Sequence, residues 1–433
     1  MRRLLNLPLH QQIALALAAA ILAGLVTGGL TGKPLPWALH IYRVVGTLFL
    51  NALKMITIPL VVTAVIHAIA QIGGAREFGR LGAKTFAFYL TTTTIAVLTG
   101  LLFVQAIRPG IVNARPAREL IGLTADSEAI KQRVAGRSLQ DFTDVVLRMV
   151  PENVVQAAAQ GDLLGLIVFS LLTGFFLARM PGSAGASLRI GVQAVFELMM
   201  RMTEWILRFA PLGVFALVAR VVATTGLEAW RPLAAFFASV VLALGTHLFV
   251  TMPLLIFAFA RVNPIRHFRA VAPAMLTAFS TSSSNATLPV TLECLEKRAG
   301  VSNRIAGFVA PLGATVNMDG TALYECVAAL FIAQAYGLEL SWAAQATVVA
   351  LAILTSIGVA GIPAASLVAI VVILETIGLP PEGIGLLLAT DRILDMCRTA
   401  VNVFGDTAAA VVIARSEGEA TGLEGGSASP IRR

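Results

Sequence analysis

Hydrophobic positions in this chain run on for long distances instead of alternating with polar ones. Gln12–Leu30, Thr85–Ile107, Leu164–Leu177 with its flanks, and Leu233–Ala260 are near-continuous apolar stretches. Each approaches the roughly 20 residues with which an α-helix crosses a hydrocarbon core, so the pattern predicts long membrane helices. At about Arg261 it changes, and two segments begin like the others and then break. Val271–Lys297 has apolar arms of about ten residues around a hydroxyl-rich tip at Ser280–Asn285. Ala346–Gly378 carries Gly358, Gly361 and Pro363 at its middle. Arms this short predict hairpins that enter the bilayer and return, with tips buried in protein or lining a watery cavity. Each is followed by a long segment with polar residues at its centre, Ile305–Tyr336 and Ile384–Arg415. One such break would be read as a kink in an ordinary span. Two in matching positions point to transporters built from inverted repeats, whose substrate sits where the interrupted helices meet.

Composition agrees. Of 433 residues, 57% are hydrophobic and 13% charged, and mean hydropathy is +0.83; soluble domains are near 25% charged. The first apolar run follows Arg2 and Arg3. It exceeds the 7–15 residues of a signal-peptide core, and no small-residue cleavage site precedes Lys33 and Pro34, so a first membrane helix is expected. The net charge of +8 lies in short loops such as Arg76–Lys84 and Arg261–Arg269. Such clusters mark cytoplasmic ends of spans and not a nucleic-acid surface, and they place the amino terminus inside. The arginine-rich linker 108–140 is expected outside, because long loops translocate largely regardless of charge. The Gly/Ser-rich residues 416–433 are expected to be a disordered cytoplasmic tail. Cys294, Cys326 and Cys397, and the five histidines, are scattered without metal-site or disulfide spacing. Gly28–Pro34 lacks the phosphate-loop spacing. No ATP-driven step is expected, and any transport would draw on another gradient.

The last polar segment, Asp391–Asp406, carries the chemistry. At 100° per residue Asp395, Arg398, Thr399, Asn402 and Asp406 fall within an arc of about 100°, with Asp391 inside it. Asp395, Arg398 and Asp406 would cost on the order of 9 kcal/mol in lipid, and about eight apolar neighbours recover only about 4. The deficit must be met by pairing. A closed Asp395–Arg398 ion pair would meet part of it and leave Asp406 and Asp319 without a cationic partner. A mobile cation is the candidate for the missing charge. In Asn317–Thr321, Gly320 next to Asp319 would let the helix unwind, and freed carbonyls with the carboxylate would be hard ligands suited to Na⁺.

With "TSSSNATLP", "GATVNMDGTALYE", "SIGVAGIPAAS" and "LDMCRTAVNVFGD" in place, the chain resembles the dicarboxylate/amino acid:cation symporter family, which includes the animal glutamate transporters. Members of that family are known examples of inverted-repeat transporters, so resemblance and repeat pattern are not independent. The resemblance implies an all-α polytopic membrane protein with eight transmembrane helices and two re-entrant hairpins, assembled as a homotrimer. Residues 1–260 would supply six helices: 1, 2, 4 and 5 form a fixed scaffold, while 3 and 6 join a transport domain completed by residues 261–415. That domain would carry substrate across as a moving block, in an elevator-type mechanism.

The resemblance also implies roles. Arg398 would fork onto a substrate side-chain carboxylate and Asp395 would accept from its ammonium. Ser283, Ser284, Thr321, Ile362, Thr399 and Asn402 would hold the remaining polar atoms. One Na⁺ site would use Asp406 with carbonyls of Gly313, Asn317 and Asn402; a second, Asp319, Asn317, Thr92 and Thr93; a third, Thr315, Met318 and Ser356. Asp395 favours an amine-bearing substrate over a plain dicarboxylate, and Arg398 an acidic over a neutral amino acid. Asp406 and "NMD" resemble Na⁺-coupled members. Glu325 matches a proton carrier of the animal transporters, so H⁺ co-transport and K⁺ counter-transport stay open, against a buried hydrogen-bonded carboxyl. Asn285 and Ser366 depart from the family pattern. Proton-coupled, dicarboxylate and neutral amino acid carriers of the same family remain alternatives. Outside it, two intramembrane aspartates also define aspartyl proteases, but the Y-D and G-x-G-D motifs are not met. The expectation is a multi-pass cell-membrane symporter for L-aspartate or L-glutamate with Na⁺, both termini cytoplasmic, and not an enzyme.

Overall fold

The computed structural model describes residues 9–29, 35–72, 76–113, 115–118, 120, 147, 150–160, 163–225, 230–358, 365–380 and 384–423. Continuous apolar runs fold as helices because lipid offers no partner for a backbone amide, so each must bond within its own segment. Helices α1 (Leu9–Gly24), α2 (Pro36–Ile72) and α3 (Arg76–Ile107) open the chain. A two-stranded ribbon, Ile111–Val112 with Arg115–Pro116, follows. Then come α4 (Val154–Gln160), α5 (Leu163–Arg179), α6 (Gly182–Leu207), α7 (Ala210–Thr225), α8 (Trp230–Thr246) and α9 (Met252–Ala260). A π-turn, His247–Thr251, joins α8 to α9.

The first broken segment is a pair of helices, α10 (Pro264–Thr281) and α11 (Ser284–Glu293), packed on each other. Ser282 adopts φ 54°, a left-handed conformation that turns the chain, and the Ser283 hydroxyl caps α11 by accepting from the Ala286 amide at 3.2 Å. The first arm is 18 residues, longer than the apolar pattern predicts. Its start is set by Asn263, whose side chain accepts from the Ile265 and Arg266 amides, and by Pro264 in the first turn. Arg266 and Arg269 had disguised that turn as loop. The second broken segment is α14 (Trp342–Gly358) and α15 (Ala365–Thr376), also in contact; its tip, with Gly361, Ile362 and Pro363, lies outside the described residues.

Between the hairpins the chain forms α12 (Asn303–Val316) and α13 (Asp319–Ala335). The helix is interrupted at Asn317 (φ −91°, ψ 90°) and Met318 (φ −117°, ψ 48°). The break therefore precedes Asp319 and does not use Gly320, which sits in the first turn of α13. Gly320 serves closeness instead: a Cβ there would stand 2.8 Å from the Arg398 carbonyl oxygen. The final helix α16 (Ile384–Ser416) packs against α3, α8, α9, α10, α12 and α13.

Packing is heaviest within two groups, α1–α2–α5–α6–α7 and α3 with α8–α16. Among the described residues four helical spans are long and apolar enough to cross a membrane: Gly79–Ile107, Trp230–Ala260, Asn303–Ala335 and Thr390–Ser416. The last two contain the polar centres and are almost wholly enclosed by protein, whereas most of the first two faces outward. Residues 417–423, expected as disordered tail, fold back instead. Glu417 pairs with Arg80 and Lys84, Glu419 accepts from Ser302, and the Gly422 amide donates to the Ala299 carbonyl. Three basic or hydroxyl groups on other elements give this acidic segment partners that composition alone does not reveal.

Candidate functional site

Two clusters of polar side chains lie where α12, α13 and α16 meet. In the first, Arg398 is 1% exposed. Its Nη2 donates to Asp395 Oδ1 at 2.8 Å and stands 3.2 Å from Asp391 Oδ1. The guanidinium lies over the Tyr324 ring, 3.9 Å from its centroid. Arg392 Nη1 approaches Asp395 Oδ2 at 3.8 Å. The i,i+3 pair considered from the sequence is therefore formed, and Asp391 joins it. It does not exhaust the arginine: Nε and Nη1 are buried with no hydrogen-bond partner among the described residues. Beside it the Thr399 hydroxyl donates to the Asp395 carbonyl at 2.8 Å. Asn402 knits the broken helix to α16: its Oδ1 accepts from the Gly320 amide at 2.8 Å, and its Nδ2 donates to Thr321 Oγ1 at 3.1 Å and Met318 Sδ at 3.3 Å.

The second cluster contains Asp319 and Asp406, both buried. Asn317 Nδ2 donates to Asp406 Oδ1 at 2.9 Å, while Asn317 Oδ1 is buried without a partner. Asp319 Oδ1 accepts from Thr92 at 3.2 Å and Thr93 at 2.6 Å, so the Thr pair of α3 does reach it. Asp319 Oδ2 faces His247 Nε2 at 3.3 Å. The sequence reads His247 as one of five scattered histidines and gives it no role beside Asp319; a polar residue in the middle of the apolar run Leu233–Ala260 is the signal that could have found it. Gly313 lies against Asp406 and Tyr89, and a Cβ would overlap the Asp406 carboxylate.

Other expected residues are less convergent. Thr315 and Ser356 donate to carbonyls of their own helices, Leu312 at 2.9 Å and Ile353 at 2.9 Å, and no bond joins them to each other. Ser284 is buried at the start of α11, which packs on α16. Ile362 lies outside the described residues. Glu325 Oε2 accepts from Thr355 at 2.7 Å, and Oε1 is buried without a partner. Ser366 is buried with an unpartnered hydroxyl. Asp391, Tyr324 and Thr355 were not assigned roles from the sequence; helical spacing reveals the first, but the others come from neighbouring elements.

A family model described as the sodium:dicarboxylate symporter family matches residues 9–416. The chain belongs to that family. Among similar proteins of the sodium:dicarboxylate symporter family is the proton/sodium-glutamate symport protein of Bacillus caldotenax, 33% identical, covering 94% of this chain and 95% of the relative. The proton/glutamate-aspartate symporter of Escherichia coli (strain K12) is 33% identical, with 94% of each chain covered. Excitatory amino acid transporter 3 of Mus musculus is 34% identical, covering 83% of this chain and 76% of the relative. The chain is thus an all-α, multi-pass membrane protein of the glutamate-transporter family.

Proposed function

We propose that this chain is a secondary symporter that moves an acidic amino acid, aspartate or glutamate, across the cell membrane coupled to Na⁺. The observation that carries the proposal is the buried Arg398, with Nε and Nη1 unpartnered beside Asp395. A guanidinium desolvated to this degree costs several kcal/mol unless its donors are used. A substrate carboxylate matches the remaining donors, and Asp395 accepts from the substrate ammonium. Thr399, Thr321, Asn402, Ser283 and Ser284 complete the polar shell, and the role that the resemblance implies for Ile362 is kept as part of the proposal. The names of the relatives support glutamate and aspartate as substrates.

Na⁺ is supported by the second cluster, where carboxylates, Thr hydroxyls and an unpartnered amide oxygen supply hard donors. Asp406 with Gly313, Asn317 and Asn402 forms one site, and Asp319 with Asn317, Thr92 and Thr93 another; Thr315, Met318 and Ser356 form a third under the second hairpin. The packing partition supports a division into a scaffold of α1, α2, α5, α6 and α7 and a block of α3 and α8–α16. That the block moves as an elevator, within a homotrimer and with both termini cytoplasmic, belongs to the same proposal and rests on the family resemblance and, for the termini, on the basic short loops. A second reading, H⁺ co-transport through Glu325, is favoured by its unpartnered Oε1 and by the relatives named for protons. The test is uptake of labelled aspartate, glutamate, succinate and serine into proteoliposomes under imposed Na⁺, H⁺ or K⁺ gradients. Na⁺-driven uptake of the two amino diacids is expected. Uptake indifferent to Na⁺ but driven by H⁺ would replace the first reading by the second.

A further inference from the structure

Leu233–Ala260 contains a single histidine among apolar residues, and nothing in lipid rewards an imidazole there. His247 opens the π-turn between α8 and α9 and is fully buried. A π-turn inserts one residue into a helix and re-aims the side chains beside it, which is why such turns gather at functional sites. Here the ring meets Asp319, Nε2 to Oδ2 at 3.3 Å. An ionised carboxylate only accepts, so Nε2 carries the hydrogen of this contact, while Nδ1 is buried with no partner among the described residues. Burying an imidazole carries a desolvation cost that a leucine would not, and the contact with Asp319 is what offsets it here.

The partners of Asp319 are divided. Oδ1 receives both threonine hydroxyls of α3, and among the described residues Oδ2 receives His247 alone. Without that donor the orientation of the carboxylate rests on the two threonine bonds at Oδ1, the same oxygen that a cation would engage. Next to Oδ1 lie two groups that suit a hard cation, the hydroxyl oxygens of Thr92 and Thr93, and Asn317, two residues before Asp319, adds a buried Oδ1 with no partner among the described residues. We propose that His247 is a positioning residue of this cation site, its Nε2–H holding Asp319 Oδ2 so that Oδ1 is presented to Na⁺ together with Thr92, Thr93 and Asn317. The inference rests on the Na⁺ reading given above. It adds an element that the site residues lack, because α8 and α9 thereby enter the cation site.

The experiment compares wild type, His247→Met and His247→Gln as purified full-length protein. Na⁺ is titrated against thermal melting, and Na⁺-dependent aspartate uptake is measured in proteoliposomes. A ligand-orienting partner is worth about 10–100-fold in ion affinity. His247→Met is therefore expected to raise the Na⁺ half-saturation about tenfold or more in both assays, and to change the Na⁺-to-Li⁺ preference. The aspartate half-saturation at saturating Na⁺ is expected to stay within about threefold. His247→Gln, whose amide N–H replaces the ring donor, restores most of the Na⁺ affinity. If His247→Met does not fold, His247→Asn takes its place, being polar but too short to reach Asp319. An unchanged Na⁺ titration in these variants, or a Gln variant as impaired as Met, overturns the proposal. A wild type blind to Na⁺ in both assays overturns the underlying Na⁺ reading instead.

Discussion

The two acidic clusters along α16 solve the same problem differently. Near its start, Asp391 and Asp395 have Arg398 at 3.2 and 2.8 Å and Arg392 at the edge, so carboxylates and guanidinium groups balance within the chain. Three turns further on, Asp406 and Asp319 are equally buried, and among the described residues they meet a side-chain amide, two hydroxyls and an imidazole. Two opposite charges 4 Å apart gain about 4 kcal/mol at an effective dielectric of 20, and the second cluster has no permanent cation to gain it from. The first arrangement is complete in charge but has spare directional donors, which fits a solute that brings both a carboxylate and an ammonium. The second is incomplete in charge but rich in oxygen, which fits an ion.

The largest effect is expected from removing the guanidinium. Arg398→Cys leaves Asp391 and Asp395 with Arg392 alone, 3.8 Å from Asp395 Oδ2, and breaking a buried pair costs about 3–5 kcal/mol. Converted at 1.4 kcal/mol per decade, aspartate uptake is expected to fall by at least about 100-fold. Uptake of a neutral amino acid is expected only where the acids are relieved, and Asp391→Asn combined with Arg398→Cys is expected to restore the melting temperature. Undiminished aspartate uptake in Arg398→Cys would break the comparison at its first term.

Asp406→Asn tests the other cluster. The new amide is nearly isosteric and its oxygen still accepts from Asn317 Nδ2, so folding is expected to survive. The lost carboxylate is expected to raise the Na⁺ half-saturation by roughly tenfold, the scale of about 1.4 kcal/mol. An unchanged Na⁺ titration of uptake would remove Asp406 from the ion path. Gly313→Ala sharpens the point, because its Cβ would collide with the Asp406 carboxylate and the Tyr89 hydroxyl. Overpacking of this kind costs about 1–3 kcal/mol, so a lower melting temperature with a several-fold weaker Na⁺ response is expected. A change in aspartate affinity at saturating Na⁺ with no change in Na⁺ response would show that the clusters are not separable.

Much of this contrast was legible beforehand. The arc shared by Asp391, Asp395, Arg398, Thr399, Asn402 and Asp406 follows from helical periodicity, and the two hairpins follow from apolar arms interrupted by Ser or Gly and Pro. What escaped depended on neighbours distant in sequence. His247 looked like one scattered histidine because Asp319 is 72 positions away. The break at Asn317–Met318 was placed at Gly320 because glycine is the usual local signal, whereas here the glycine answers to the approach of Arg398. The start of α10 is hidden by Arg266 and Arg269, exposed residues that read as loop in the sequence. The fold-back of residues 417–423 had no local signal, since its cations sit on α3 and beside Ser302.

That fold-back offers a third acid for comparison, just past the end of α16 and outside the membrane. Glu417 Oε1 accepts from Lys84 at 2.6 Å, Oε2 meets Arg80, and Arg304 stands 3.8 Å away. The hydrogen bond from Lys84, and then that from Arg80, hold its carboxyl below the ordinary value of 4.5. A carboxyl depressed by folding contributes stability that is present above its unfolded value and lost as pH falls through the folded one. Glu417→Gln is therefore expected to lower the melting temperature slightly at neutral pH, with the gap from wild type closing as pH drops below 4.5. Salt should shrink the same gap, because water and ions screen a contact that lies outside the membrane. Neither buried cluster is screened in this way, so a gap insensitive to both pH and salt would mean that Glu417 is enclosed as they are.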